Sequence, residues 1–145
     1  VTPSLISASH EVDEVMKLND GKLMVRSYNG MYLSWPCETC DNRAYTTNTT
    51  KGKYQQWTVV KQNTNEIAFK AGNDKFLKFA NKNRLIFESG VSDWEYWKPV
   101  KNEDGSFSFT TRFDHWMSAQ WSNDDHVIMM EMKKNSEQWW LEPWE

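Results

Sequence analysis

The sequence contains little of what catalytic motifs require. It has three histidines and two cysteines among 145 residues, and it contains no Gly-x-Ser-x-Gly segment, no His-Glu-x-x-His pair and no glycine-rich phosphate loop. Two facing carboxylates would be enough for a glycosidase, but nothing in the sequence pairs two of its acidic residues. The sequence therefore predicts a non-enzyme with no catalytic residue and no cofactor.

An excess of positive charge and long apolar runs are also missing. Lys and Arg number 17 against 20 Asp and Glu, which gives a net charge of -3 and a pI of about 5.7, so no binding of nucleic acid is predicted. Apolar runs such as Val127–Met130 are far shorter than the ~20 residues that span a bilayer, so no membrane insertion is predicted. The mean hydropathy is low at -0.80, but nine Trp, seven Phe and five Tyr are typical of a folded chain.

The two cysteines, Cys37 and Cys40, are too few to hold a fold together. A redox Cys-x-x-Cys pair usually lies at a helix N-terminus, whereas this pair lies in a loop between two predicted strands. A structural zinc ion would need two further ligands, and the sequence has no second cysteine pair to supply them. We therefore predict a clip within one loop, without metal, which is disulfide-bonded outside the cell and reduced inside it. Because the loop is short, we expect its effect on global stability to be small.

Three copies of a unit of about 40 residues fill most of the chain, at 22–65, 66–105 and 106–145. Each copy reads as a short strand, a turn, an aromatic residue beside an aliphatic one, a polar loop, another strand and a closing tryptophan. The closing tryptophans fall 40 and 42 residues apart, and the aromatic residues after the turn fall 44 and 40 apart. We predict that the closing tryptophans are buried in the core beside the second set of aromatic residues. The two sets are Trp57, Trp97 and Trp139, and Tyr32, Phe76 and Trp116.

This repeat predicts an all-β protein. Each unit carries four short strands bounded by Gly, Asn and Asp, and no stretch of 11 or more residues shows a convincing helical period. One unit could not bury its own aromatic face, so the three must share a core, and propellers with blades of this length usually have four or more of them. We therefore predict a β-trefoil: a single domain at 22–145, made of three four-stranded repeats with pseudo-threefold symmetry.

Residues 1–21 precede the repeat and are predicted to be an extension that packs on the domain or leads into it. Apolar residues at 12, 15, 16 and 18 fit either a short helix or an added strand on the barrel. Residues 1–9 are predicted to be a loose terminus. The chain starts with Val, which a cleaved secretory signal and a trimmed chain would explain equally well.

Several segments resemble the fascin and hisactophilin branch of the β-trefoils. They are Gly30–Ser34, Ser92–Trp97, Asp104–Gly105 and Trp116–Ala119. The resemblance covers residues 22–145 and implies a protein associated with actin or another part of the cytoskeleton. Fascins join four such domains, so one acidic domain would cross-link filaments only as a homodimer.

A second likeness is to the ricin-type lectins, whose units end in Gln-x-Trp. The chain has this motif at Gln55–Trp57 and Gln138–Trp140, with Glu95–Trp97 in the middle unit. The likeness implies carbohydrate binding, but not through the usual ricin-type aspartate, which follows a leucine. At that place the chain has Leu33-Ser34, Leu77-Lys78 and Met117-Ser118.

Two loops combine polar residues with a tryptophan outside the repeated core positions. An exposed indole offers an apolar face for the C–H groups of a sugar, and Asn and Asp side chains bond to its hydroxyls. Turns alone would also explain the Asn and Asp residues. The first-choice site is Trp121 with Asn123, Asp124, Asp125 and His126, and the second is Trp35 with Asp41, Asn42 and Arg43.

The leading functional prediction is a secreted, lectin-like protein that binds glycans or a glycoprotein. The alternatives are a cytoplasmic, actin-associated protein and a trefoil that binds a protein partner, as cytokines and protease inhibitors do. No loop is long enough to suggest a dedicated inhibitory projection. The triplet Asn48–Thr50 fits the glycosylation acceptor pattern and gives weak support to secretion.

Overall fold

A computed structural model of the chain describes residues 3–48, 52–81, 84–113, 115–119, 127–131 and 133–144, with the backbone alone at 3–9, 48 and 135. In this part of the chain, helix α1 (Pro3–Lys17) precedes twelve antiparallel strands, four in each unit. A short 3-10 turn precedes the last strand of each unit. The strands are β1 (Lys22–Ser27), β2 (Met31–Ser34), β3 (Tyr45–Asn48) and β4 (Trp57–Lys61); β5 (Ile67–Lys70), β6 (Phe76–Asn81), β7 (Arg84–Glu88) and β8 (Lys98–Lys101); and β9 (Phe107–Thr110), β10 (Trp116–Ser118), β11 (Ile128–Met130) and β12 (Trp139–Pro143).

Every unit pairs its strands in the same way. The second strand pairs with the first and the third, and the fourth strand pairs with the first strand of the next unit. The ring of first and fourth strands closes because β12 pairs with β1, with Ser27 opposite Trp139. The chain is thus an all-β β-trefoil with pseudo-threefold symmetry, which confirms the prediction from the repeat.

The closing tryptophans form the centre of the core, as predicted. Trp57, Trp97 and Trp139 are fully buried. Because a buried indole N–H needs an acceptor, each donates to a backbone carbonyl in the second strand of its own unit. The three bonds run from Nε1 of Trp57, Trp97 and Trp139 to the carbonyl oxygens of Leu33, Leu77 and Met117, at 3.0, 3.2 and 3.0 Å.

The aromatic residues after the turn do not all lie in the core. Tyr32 is buried, but Phe76 and Trp116 are half-buried, so the prediction of a shared core position is wrong for these two. The fully buried position is the next one along each strand, which Leu33, Leu77 and Met117 occupy. Successive side chains of a strand point to opposite faces, so the aromatic residue and its aliphatic neighbour cannot both face the centre of the core. Tyr32 is buried on the opposite face, where its hydroxyl donates to Glu142 Oε1 at 2.9 Å.

Residues 1–21 do not begin as the loose terminus predicted, because α1 already starts at Pro3. Of the two alternatives for the apolar residues, the helix is correct. Val12 and Val15 are fully buried and Met16 packs beside them, at the three- and four-residue spacing of one helix face. This apolar stripe is short, so the sequence shows no long helical period. Within the residues that the structure describes, no helix is long and apolar enough to span a membrane.

Candidate functional site

The first-choice loop lies outside the described residues. Trp121, Asn123, Asp124, Asp125 and His126 all fall in the undescribed segment 120–126. Their role as a sugar site therefore stays a prediction from the sequence.

The second-choice tryptophan is buried, so its interpretation as an exposed platform outside the core is wrong. Trp35 is 6% exposed and its Nε1 donates to the carbonyl oxygen of Gln56 at 3.0 Å. Its ring packs edge-on against Tyr54, with centroids 4.7 Å apart. A glycine makes this possible, because a Cβ atom on Gly72 would lie 2.7 Å from Cζ2 of Trp35. The ring occupies space that any other residue at position 72 would close.

Two of the three polar residues predicted beside Trp35, Asp41 and Asn42, attach their loop to unit 2. Asn42 Nδ2 donates to the carbonyl oxygen of Phe87 at 3.1 Å, and Asp41 forms an ion pair with Arg84 at 3.4 Å. The backbone N–H of Arg43 bonds to the Asp41 carbonyl oxygen at 2.8 Å. These contacts give the three residues a structural role in positioning the loop.

The cysteines of this loop are bonded to each other, with Cα atoms 5.1 Å apart, so the predicted loop clip is present as a disulfide. Cys37 and Cys40 line a depression of about 370 Å³ together with Glu38, Asn42 and Asn73. Among the described residues, no group of three His, Cys, Asp or Glu side chains is placed to hold a metal ion. The disulfide thus shapes the wall of a surface depression.

Another depression lies directly beside the one at the disulfide, and the two share Glu38 and Asn73. We name this neighbouring depression the first cleft. Its volume is about 330 Å³, within the range of small-molecule sites. Trp35 enters it from the end of β2, Tyr54 from the turn before β4, and Trp144 from the residue after β12. The hairpin turn between β5 and β6 supplies its opposite wall. Its lining includes Trp35, Glu38, Lys53, Tyr54, Asn73 and Trp144.

The aromatic residues of the first cleft are fixed in place. Trp144 Nε1 donates to the carbonyl oxygen of Trp57 at 2.8 Å, and the ammonium group of Lys22 lies 5.9 Å from the Trp144 ring centroid. Trp35 is held in the same way by Gln56. Because both indole N–H groups already have acceptors, the site offers a ligand carbon surface, which the half-buried Tyr54 and Trp144 rings supply above the buried Trp35 ring.

Exposed polar side chains surround this aromatic floor. Glu38, Lys53 and Asn73 are exposed, and Lys53 Nζ lies 5.0 Å from the centroid of the Tyr54 ring. They supply a carboxylate, an ammonium group and an amide around one concave site. A ligand with one apolar face and several hydroxyl groups matches this arrangement.

Sequence reasoning missed five residues of this cleft: Glu38, Lys53, Tyr54, Asn73 and Trp144. One signal was present in the repeat, because Tyr54 and Trp94 stand at the same distance before the closing tryptophans Trp57 and Trp97. That repeated aromatic position would have pointed to the turn before the fourth strand. The contribution of Asn73 comes from the neighbouring unit, and nothing in its local sequence distinguishes it from an ordinary turn residue.

No protein-family model and no curated protein sequence matches the chain. Solved structures match it as a fold. A designed threefold-symmetric protein, ThreeFoil, has a TM-score of 0.74 at 21% identity, over 84% of this chain and 98% of its own. SeviL, in a structure bound to the asialo-GM1 saccharide, has 0.73 at 16% identity, over 85% and 97%.

A third match is the GlcNAcα1-4Gal-releasing endo-β-galactosidase of Clostridium perfringens. Its TM-score is 0.74 at 16% identity, and the match covers 86% of this chain but only 32% of that enzyme. At these identities the likeness shows the fold alone. The class that the fold defines is therefore the β-trefoil proteins.

Proposed function

We propose that this β-trefoil is a non-enzymatic carbohydrate-binding protein and that the first cleft is its sugar site. The observation that carries the proposal is the union, in one concave site, of the half-buried Tyr54 and Trp144 rings with three exposed polar side chains, over a floor that the buried Trp35 closes. Two of its structural neighbours are named for a bound or processed saccharide, SeviL and the endo-β-galactosidase, which supports the same class of ligand.

The chemistry of the cleft favours a neutral sugar. Lys53 and Glu38 bring one charge of each sign, so the site selects for neither anions nor cations. A shallow site without metal binds a single sugar weakly, and useful affinity then needs several sites on one glycan surface. The Trp121 loop, with Asn123, Asp124, Asp125 and His126, is a further candidate for such a site on the sequence alone.

An extracellular location accompanies this proposal. The Cys37–Cys40 disulfide supports it, because disulfides persist in oxidising compartments. The fascin-like alternative, a cytoplasmic protein that binds actin, rests on the resemblance of the sequence segments. Direct assays of glycan binding and of actin binding distinguish the two functions.

A glycan array and an actin co-sedimentation assay on the same preparation test the proposed function. We expect glycan binding that Tyr54→Leu reduces at least tenfold, because leucine keeps the bulk of the ring but not its flat face. The matched control is Tyr28→Leu, which changes an exposed tyrosine on another hairpin. Binding to actin filaments with no signal on the array would overturn the proposal. Equal loss in both variants would exclude the first cleft as the site.

A further inference from the structure

The pseudo-threefold axis places positions equivalent to the walls of the first cleft in the other two units. The two internal walls of the first cleft are the residue two positions after the fully buried aliphatic residue of the second strand and the residue three positions before the closing tryptophan. A backbone bond joins these positions, from Trp35 N to Tyr54 O at 2.9 Å in unit 1 and from Ala119 N to Ser136 O at 2.8 Å in unit 3. In unit 2 the same two positions hold Phe79 and Trp94, whose rings stack with centroids 5.9 Å apart. Unit 3 thus lacks both aromatic walls, and unit 2 keeps them.

The opposite wall of each cleft is the first hairpin turn of the next unit. Strand registers place Lys70 opposite Phe76 and Thr110 opposite Trp116, so position 113 in unit 3 corresponds to position 73 in unit 2. The first cleft therefore has Asn73 on this wall. The second cleft, between Phe79, Trp94 and the β9–β10 turn, has Phe113 there.

Phe113 fills the second cleft. Its ring lies nearly parallel to Trp94, with centroids 4.1 Å apart and an interplanar angle of 10°, and it also contacts Phe79 at 5.6 Å. This is the stacked arrangement that an aromatic platform offers to a flat ring. Trp94 remains 41% exposed, whereas Phe79 is buried and Phe113 packs against the core, so the stack extends from the core to the surface.

The turn that carries Phe113 is anchored on both sides. The guanidinium group of Arg112 donates to both carboxylate oxygens of Glu66, at 2.9 and 2.8 Å, and pairs with Asp93 at 3.0 Å. This pairing lowers the pKa of Glu66 below its usual value. The Phe113 N–H donates to Thr111 Oγ1 at 3.1 Å. These contacts hold the turn that carries Phe113 beside Asp93 and Trp94.

We propose that the second cleft is a latent sugar site of the same kind as the first, closed by the chain's own Phe113. This inference rests on the proposed function of the first cleft. A tethered ring competes with a free ligand at a high effective concentration, so weakly bound sugars do not displace it. The residue at the tip of each hairpin thus determines which clefts are open: Asn73 leaves the first open, and Phe113 covers the ring face of the second.

Phe113→Asn, which copies Asn73, tests the proposal. The protein is labelled with fluorotryptophan, and the fluorine NMR signals of Trp144 and Trp94 report on the first and second cleft. The probes are the methyl glycosides of galactose, N-acetylglucosamine and mannose at millimolar concentration. We expect a sugar to shift the Trp144 signal in both proteins and to shift the Trp94 signal saturably only in Phe113→Asn. Phe113→Leu, which keeps an apolar cover, is expected to leave Trp94 unshifted.

The outcomes separate this proposal from the proposed function. A Trp94 signal that shifts in the unchanged protein shows an open second cleft and overturns the inference. A Trp144 shift without a Trp94 shift in Phe113→Asn overturns the inference and leaves the proposed function standing. A Trp94 shift in Phe113→Asn without a Trp144 shift supports the latent site and overturns the first cleft as a sugar site. No shift in either protein overturns both.

Discussion

At the scale of single residues, this trefoil depends on three buried indoles that each bridge two strands. Trp97 shows the arrangement in unit 2, because it closes the unit and donates its Nε1 hydrogen to the Leu77 carbonyl oxygen. Its ring also contacts Phe69, with centroids 6.1 Å apart. The same side chain therefore contributes buried apolar area and satisfies a buried carbonyl group.

Replacement of Trp97 by alanine tests this role. We expect Trp97→Ala to lower the free energy of unfolding by about 3–5 kcal/mol, because it removes a fully buried ring and leaves a cavity. Chemical denaturation followed by circular dichroism measures the change. Trp94→Ala is the control, since Trp94 is largely at the surface, and it should cost clearly less. Equal losses would contradict the distinction between core and cleft tryptophans.

At the scale of elements, the 3-10 turn before each fourth strand is fastened by a buried side chain. Gln55, Glu95 and Glu137 each accept a bond from a backbone N–H at the start of their turn, at 2.8, 2.7 and 2.8 Å. In units 1 and 3 a serine at the end of the second strand completes the network: Ser34 accepts from Gln55 and Ser118 donates to Glu137. Unit 2 departs from this pattern, because Lys78 stands there and pairs with Glu88 at 2.9 Å.

Lys78→Ser should therefore stabilise unit 2. Glu95 is 2% exposed, and its Oε2 has no hydrogen-bond partner among the described residues. A serine at position 78 can donate to it, a gain of about 1 kcal/mol against a partly exposed ion pair worth ~0–1 kcal/mol. The measurement compares the free energy of unfolding of Lys78→Ser with that of Glu88→Gln. Both variants lose the Lys78–Glu88 ion pair, so the difference between them reports the new bond to Glu95. A Lys78→Ser protein less stable than Glu88→Gln would refute the proposed network.

At the scale of the whole molecule, α1 packs against β4 and β8 without belonging to the threefold repeat. Its residues Val12 and Val15 are buried in the core. Lys101 of β8 binds the helix twice: its backbone N–H donates to Glu11 Oε2 at 2.9 Å, and its Nζ donates to Glu14 at 2.6 Å. Burial raises the pKa of Glu11 above its usual value. The helix therefore contributes to stability from outside the trefoil.

Removal of residues 1–17 tests whether the trefoil folds without the helix. We expect the shortened chain to keep its β-sheet spectrum and to lose a few kcal/mol of stability, since each buried valine is worth about 1.5–3 kcal/mol before the cost of ordering the helix is subtracted. Val12→Ala with Val15→Ala in the full chain provides the matched comparison. A shortened chain that is unfolded under native conditions would show that 22–145 is not a self-sufficient domain.

The sequence by itself determined the fold. The tryptophans recur at a nearly constant interval, and the strands between them are short and bounded by turn residues, so three equal units follow from local information alone. The same periodicity placed Trp57, Trp97 and Trp139 in the core. It placed Phe76 and Trp116 there wrongly, because an interval shows which residues are equivalent but not which of two adjacent strand positions faces inward.

Only the tertiary structure decided where the clefts lie and which of them is open. Trp35 is buried because Gly72, 37 residues further along the chain, leaves room for its ring. The first cleft combines side chains of unit 1 with Asn73 of unit 2 and with Trp144 after the last strand. Each cleft forms between neighbouring units, so its walls meet only after those units have packed against each other. Contacts between residues so far apart in the chain have no signature in the local sequence.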